Sequence, residues 1–166
     1  MEWVYFPLHP ETPEEGRSLE SLFAGRGYDL DVMHERMVTL MAEEELPYGR
    51  RTHTYNSRLA QELAAWADEE PGGDALHGAL YRAYFVDGQN LSDIDVLVSL
   101  AEAVGLLGSQ VRQILEHRTM RELVDKHWST SIRAGITSVP TFEVCGYRVV
   151  GAQQEEVLRH LASIAP

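Results

Sequence analysis

Apolar residues recur at helical spacing through the middle of the chain. Leu59, Leu63 and Trp66 form one stripe with alanines beside it, which predicts an amphipathic helix that ends near residue 71. Similar stripes predict a second helix over 76–84, a third over 94–104 and two more between 109 and 135. The predicted caps of these helices are Asn56, Ser92 and Ser109. Because each helix has an apolar face, we expect the helices to pack on each other.

The first part of the chain combines a strand pattern with a helical pattern. Residues 3–8 are mostly aromatic and β-branched, and they predict one buried strand. Residues 14–45 follow a helical period that Gly25 and Gly27 interrupt. We therefore expect a strand followed by at least two helices before the helical block.

The last part of the chain predicts a hairpin and a helix. The β-rich runs 141–145 and 147–150 flank Gly146, and an apolar-periodic tail follows over about 153–164. Helices placed between a first strand and a terminal strand–strand–helix unit are typical of a small sheet with a helical cap. The pattern as a whole predicts an α/β fold.

The charge of the chain excludes two classes of partner. Its 166 residues have a net charge of −12, and the densest basic pair is Arg50-Arg51, whereas nucleic acids and anionic membranes bind cationic patches. No stretch approaches the ~18 apolar residues that a membrane span needs, and the first residues lack the pattern of a signal peptide. A single cysteine, Cys145, cannot form an intrachain disulfide. We therefore expect a cytoplasmic protein.

Four stretches of the chain carry a resemblance to a known family. They are "FPLHPETPEEG" at 6–16, "YNSRLAQELAAWA" at 55–67, "ALYRAYFVDGQNLSDIDVLVSLAEAVGL" at 79–106 and "AGITSVPTFEVCGYRVVGAQQEEVLRHL" at 134–161. In this order they resemble the DsbA family of thioredoxin-fold proteins and, within it, the FrnE-like branch. The resemblance implies a thioredoxin-like sheet with an inserted helical domain. The implied parts are an N-terminal piece over 1–48, a helical insertion over 49–135 and a C-terminal hairpin and helix over 136–166.

The resemblance also implies a substrate-binding role for the Val139-Pro140 step. Pro140 corresponds to the cis-proline of the thioredoxin fold, and a cis X-Pro bond costs only about 0.5–1 kcal/mol. The cis bond turns the backbone of Val139 outward, where its N–H and C=O could pair with an extended peptide. The alternative from the residues alone is a trans proline at the start of an edge strand.

One part of the family's pattern is missing. The family's chemistry depends on a Cys-x-x-Cys at the end of the first strand, and neither that motif nor that strand is present in the 166 residues. The start could be trimmed, the protein could be a natural relative without the dithiol, or another chain could supply the strand; we favour a trimmed start. We expect no dithiol exchange by the chain as written. Because strands 3–8 and 141–145 would each have an open side, we also predict a homodimer.

Other candidate residues follow from the resemblance or from single side chains. His9 lies in a loop that faces the thiol in similar proteins, where it could contact substrate or only cap the turn. Ala152 and Gln153 stand where glutathione-using relatives have a Ser-Asp pair, so cofactor binding there is weak at most, and we predict no cofactor. Cys145 and the scattered histidines lack partners at ligand spacing, so we predict no metal site.

Three functions stay open at this point. The first is a truncated thiol–disulfide oxidoreductase of the FrnE-like kind, which would act on protein or peptide disulfides and thiols. The second is a glutathione-dependent isomerase that resembles the 2-hydroxychromene-2-carboxylate isomerases. The third is a non-catalytic peptide-binding module that uses the Val139-Pro140 groove.

Overall fold

A computed structural model describes residues 2–164 as helices, short strands and connecting loops. The helices are α1 (Leu19–Phe23), α2 (Leu30–Glu43), α3 (Arg58–Ala67), α4 (Asp74–Phe85), α5 (Ile94–Ala103), α6 (Gly108–His117), α7 (Arg121–Arg133) and α8 (Glu155–Ala162). The strands are β1 (Arg17–Ser18), β2 (His53–Thr54), β3 (Thr141–Val144) and β4 (Tyr147–Val150). None of these helices is both long and apolar enough to cross a membrane. The mixed α/β fold that the pattern predicts is confirmed.

The chain divides into two compact units. One unit contains residues 9–124, and the other contains residues 2–8 and 125–164 of the described chain. We call them the helical unit and the hairpin unit. The limits 49 and 135 that the resemblance implies for a helical insertion stay predictions.

The core of the helical unit is built by the predicted apolar stripes. Leu63 of α3 is fully buried, and α3 packs against α4, α5 and α6. Helices α4, α5 and α6 also contribute buried side chains, which are Leu76, Leu97, Val111 and Leu115. Burying one such side chain contributes about 1.5–3 kcal/mol, so this four-helix contact stabilises the unit. By contrast, α2 has no buried residue.

The capping role predicted for Asn56 is confirmed one residue before the N-cap position, and the cap predicted at Ser92 is wrong. Ser57 is the N-cap residue of α3 and makes no side-chain cap hydrogen bond. The side chain of Asn56 does cap the helix: its Oδ1 accepts the N–H of Arg58, the first helical residue, at 2.9 Å, and its amide donates to the carbonyl of Thr12 at 2.8 Å. The N-cap of α5 is Asp93, and the hydroxyl of Ser92 donates to the carbonyl of Glu14 at 2.5 Å. Both side chains therefore fasten the loop at 12–14 to the helices.

The third cap and the first strand are also corrected. Ser109 lies inside α6, whose N-cap is Leu107. Residues 3–8 form no strand, and Trp3 is 57% exposed. The N–H of Tyr5 donates to His127 Nδ1 at 3.4 Å, and its carbonyl accepts from Ser131 Oγ at 3.1 Å. Side chains of α7 thus satisfy backbone groups that a strand would have offered to a neighbour.

The predicted hairpin is confirmed, with one change at its turn. β3 and β4 pair antiparallel with Thr141 opposite Val150 and Val144 opposite Tyr147. Cys145 is not the last strand residue but the first of two turn residues, with φ 49°, and Gly146 follows with φ 84°. Positive φ at both central positions is the geometry of a tight hairpin turn that matches the twist of the strands.

Candidate functional site

The outer edge of β3 has backbone groups that β4 does not use. Because a two-residue turn joins Val144 and Tyr147, these two residues exchange hydrogen bonds, and hydrogen-bonded pairs then recur at every second residue. The N–H of Gly151 donates to the carbonyl of Pro140 at 2.8 Å, which continues this alternation. The N–H and C=O groups of Thr141 and Glu143 therefore point away from β4. In the described chain, β3 pairs only with β4.

Val139 and Pro140 enter this edge from the preceding loop. The bond between them is cis, as predicted, and both residues are exposed, Val139 by 45%. Val139 lies in the bend that leads into β3, so the outward-facing row of the strand itself begins at Thr141. The hydroxyl of Thr141 donates to the carbonyl of Ser138 at 2.7 Å and helps to hold the loop against the start of the strand.

Ala152 and Gln153 lie beside Pro140, because the Gly151–Pro140 hydrogen bond joins the two segments. The structure thus brings four of the five candidate residues to one end of the hairpin. Ala152 is exposed, and Gln153 Nε2 donates to the carbonyl of Val150 at 2.8 Å. That hydrogen bond closes the loop between β4 and α8 and engages the amide of Gln153 within the protein.

The fifth candidate, His9, belongs to the helical unit. It is half-buried, and its Nδ1 lies 4.0 Å from the carboxylate of Glu11. The carbonyl of His9 accepts the N–H of Thr12 at 3.1 Å. These contacts are those of a turn residue, and its role toward substrate stays a prediction.

Cys145 lies at the far end of the hairpin from Pro140. It is exposed and free, and five residues of extended chain, at about 3.3 Å each, separate it from the proline. A disulfide held beside Pro140 at the start of the β3 edge would therefore be about 16 Å from this thiol. Within residues 2–164, no group of three or more His, Cys, Asp or Glu side chains could hold a metal ion.

Comparison with known families gives this geometry its context. A family model described as a DSBA-like thioredoxin domain matches residues 1–162. The chain belongs to this family. A solved structure of a probable DsbA oxidoreductase from Streptomyces coelicolor is similar, with a TM-score of 0.83 and 26% sequence identity. That match covers 94% of this chain and 71% of the Streptomyces chain.

Two further comparisons are more distant. The cytosolic disulfide reductase DsbM from Pseudomonas aeruginosa matches with a TM-score of 0.53 and 19% identity, over 80% of this chain and 69% of that chain, which shows the shared fold. The Bacillus subtilis protein YwbO is 34% identical over 112 residues, which are 67% of this chain. The chain spans 56% of the length of YwbO.

Sequence reasoning missed two backbone contributors to the site, Thr141 and Glu143. Only Val139 was expected to offer its N–H and C=O. The two residues between the observed strands, Cys145 and Gly146, fix which residues of β3 face outward. The incorrect inclusion of Cys145 in the strand concealed that spacing.

Proposed function

We propose that this DsbA-like chain binds extended polypeptides that carry thiols or disulfides, by adding them as a strand to the outer edge of β3. The proposal includes the FrnE-like branch and a cytoplasmic location. It also includes the absence of dithiol turnover by the 166-residue chain, since one cysteine cannot form a redox pair. The open row of backbone groups at Thr141 and Glu143, which follows the Val139-Pro140 step, carries the proposal.

The chemistry of that edge supports peptide binding rather than small-molecule catalysis. Strand addition supplies hydrogen bonds from the main chain of both partners, so it tolerates many sequences. Val139 is exposed beside the edge and offers an apolar contact to a substrate side chain. The carboxylate of Glu143 at this edge is paired with Arg148, whose Nε and Nη2 donate to its Oε2 at 3.0 and 2.5 Å. The edge is thus suited to holding a substrate.

A proline substitution on each side of the hairpin tests this proposal. Thr141→Pro removes one outward N–H from the free edge of β3. Its cross-strand partner is Val150, and Val150→Pro removes one outward N–H from the free edge of β4. The probe is a fluorescein-labelled six-residue peptide with an S-methylated cysteine, followed by fluorescence anisotropy at nanomolar protein concentration. We expect Thr141→Pro to weaken binding at least fivefold, because a main-chain hydrogen bond contributes about 1 kcal/mol.

Val150→Pro is expected to leave the peptide affinity within twofold of the original chain. Circular dichroism of both variants should show the same helical content, because neither N–H belongs to the β3–β4 ladder. Equal affinities of Thr141→Pro and the original chain would refute binding at the β3 edge. Equal losses in both variants would assign the effect to the hairpin as a whole.

A homodimer through the same edge belongs to this proposal. The earlier expectation that residues 3–8 would contribute a strand to the contact is withdrawn, because they form none. Two copies of β3 could pair antiparallel through Thr141 and Glu143 and satisfy each other's backbone groups. Peptide and second copy would then compete for one edge.

The glutathione-dependent isomerase is not favoured by any feature of the site described above. The amide of Gln153 is engaged with Val150, and Ala152 has no side-chain donor or acceptor. The non-catalytic peptide-binding module makes the same use of β3 as our proposal. The module hypothesis differs from our proposal in one respect: no catalytic partner acts on the bound peptide.

A further inference from the structure

A small polar cavity lies in the helical unit, beside the C-terminal end of α4. It has a volume of about 220 Å³ and is separate from the β3 edge. Its wall consists of Arg50, Arg51, Thr52, His53, Tyr55, Tyr84, Asp87 and Gly88. The segment 50–55 forms one side, and α4 with the following loop forms the other.

Arg51 is the unusual residue of this wall. Its guanidinium carbon lies 4.5 Å from the ring centroid of Tyr84 and 4.9 Å from that of Phe85, so two aromatic faces hold it in place. Its Nε is buried and has no hydrogen-bond partner among residues 2–164. Buried N–H groups of charged side chains are costly to leave unpaired. No acceptor in the described chain therefore satisfies Arg51 Nε.

Among the charged side chains around the cavity, Arg51 is the arginine without a carboxylate partner in the described chain. Arg50 donates through Nη2 to Asp31, and Asp87 lies 3.9 Å from Arg82. Arg51 has no carboxylate partner in the described chain, although the protein as a whole has a net charge of −12. A positive site that is not neutralised internally is suited to an anion from outside.

Helix capping does not explain Arg51. A cation near the end of a helix can stabilise its last carbonyls. In α4 three of the last four carbonyls have backbone partners: Phe85 O accepts from Gly49 N at 2.9 Å, and Arg82 O accepts from Val86 N at 2.9 Å. The carbonyl of Ala83 accepts from Gln89 N at 2.8 Å. Arg51 thus lies at the C-terminal end of α4 without capping the last carbonyls of that helix.

We propose that this cavity binds a phosphoryl oxyanion, either free phosphate or the phosphate of a small monoester. Arg51 offers a planar fork of N–H donors, which suits phosphate oxygens. Tyr55 and His53 lie on the same wall, and the hydroxyl of Tyr84 is 3.0 Å from Thr54 Oγ1. Donors from several directions match a tetrahedral group better than a planar carboxylate, whose acceptor lone pairs lie in one plane.

The Nε–H of Arg51 provides a direct readout in ¹H–¹⁵N correlation spectra. Inorganic phosphate, phenyl phosphate and acetate are titrated at pH 7 and constant ionic strength. We expect saturable shifts of the Arg51 Nε–H and of the backbone amides of 50–55 with both phosphates, and none with acetate. Tighter binding of phenyl phosphate assigns a monoester ligand, and equal binding assigns free phosphate.

Two variants and one control make this test decisive. Arg51→Gln is expected to weaken phosphate binding at least tenfold, as the loss of one charge-assisted pair implies. Tyr55→Phe removes only a hydroxyl and should weaken it about threefold even if Arg51→Gln is poorly folded. Arg36→Gln makes the same charge change at an exposed position of α2 and should leave binding unchanged.

Three results would overturn the proposal. The first is the absence of saturable phosphate shifts in the original chain. The second is an equal loss of binding in Arg36→Gln and Arg51→Gln, which would show only a response to net charge. The third is acetate binding as tight as phosphate binding, which would contradict the class of ligand.

Discussion

Replacing Glu62 by glutamine should destabilise the helical unit through one buried ion cluster. Glu62 lies in α3, and its side chain is 1% exposed. Its Oε1 accepts from Arg58 Nε at 2.5 Å and from Arg118 Nη2 at 2.7 Å, and its Oε2 accepts from Arg118 Nε at 2.8 Å. The cluster joins α3 to the residue that ends α6.

The geometry sets the size of the effect. A glutamine oxygen can replace Oε1 and keep two of the three hydrogen bonds, but its NH₂ then faces the Nε–H of Arg118 as donor against donor. Breaking a buried ion pair typically costs about 3–5 kcal/mol. The side chains of Arg58 and Arg118 are 14% and 38% exposed, so water can partly replace the lost carboxylate. We therefore expect the free energy of unfolding to fall by about 2–3 kcal/mol.

The difference in unfolding free energy between the original chain and Glu62→Gln should depend on pH in one definite direction. Burial by itself raises the pKa of Glu62, but the hydrogen bonds from Arg118 and Arg58 outweigh burial and hold the pKa below its ordinary value of 4.5. A lowered pKa in the folded state means that the stabilisation is complete above 4.5. It is lost as the pH falls from there through the folded-state pKa. The glutamine variant has no such group, so the difference between the two proteins should shrink in acid.

Urea unfolding followed by far-UV circular dichroism at pH 7 and between pH 5 and 3 measures both effects. Glu116→Gln is the matched control, because Glu116 is 52% exposed and lies 3.8 Å from Arg112. A surface pair of this kind contributes about 0–1 kcal/mol. A loss in Glu62→Gln no larger than that in Glu116→Gln would refute the reasoning, as would a difference that grows when the pH falls.

Three further predictions concern the turn at Gly49, the redox chemistry and the oligomeric state. Gly49→Ala should lower the free energy of urea unfolding by about 1–3 kcal/mol, because a Cβ there would lie 2.0 Å from the carbonyl oxygen of Val86. The control Gly78→Ala in α4 meets no atom within 4 Å and should not destabilise the protein. Equal effects of the two substitutions would contradict this prediction. Insulin reduction by the chain should not exceed that of Cys145→Ser, and turnover that the substitution abolishes would overturn the proposed inactivity. Light scattering at micromolar concentration should give twice the monomer mass of 18.7 kDa and return to it with saturating peptide; a monomer mass without peptide would exclude the dimer.

Local patterns in the sequence determined most of the helices and the hairpin. The apolar stripe through Leu63 predicts α3, because a helix with one apolar face is stable when that face is buried. The structure buries Leu63 completely. The hairpin was likewise predicted, but the two-residue spacing between Val144 and Tyr147, which determines the turn and the register of β3, was not, because Cys145 was assigned to the strand. The sequence alone also shows that the chain has one cysteine and therefore no internal dithiol.

Only the tertiary structure decided where the polar side chains find their partners. Asn56 caps α3 as the sequence predicts, but its amide also donates to the carbonyl of Thr12, 44 positions away in sequence. Ser92 caps no helix, and its hydroxyl donates to the carbonyl of Glu14, 78 positions away. Residues 3–8 have the composition of a strand, yet Tyr5 bonds to side chains of α7 more than 120 positions away.

The same limit applies to the two candidate sites. The Val139-Pro140 step is recognisable because its residues are consecutive, and the open edge of β3 follows from local alternation. The cavity at Arg51 was not recognisable, because its wall joins Arg51 to Tyr84, 33 positions apart in the chain. Periodicity reports which face of an element is apolar, whereas the partner of a single charged group depends on the packing of elements distant in sequence.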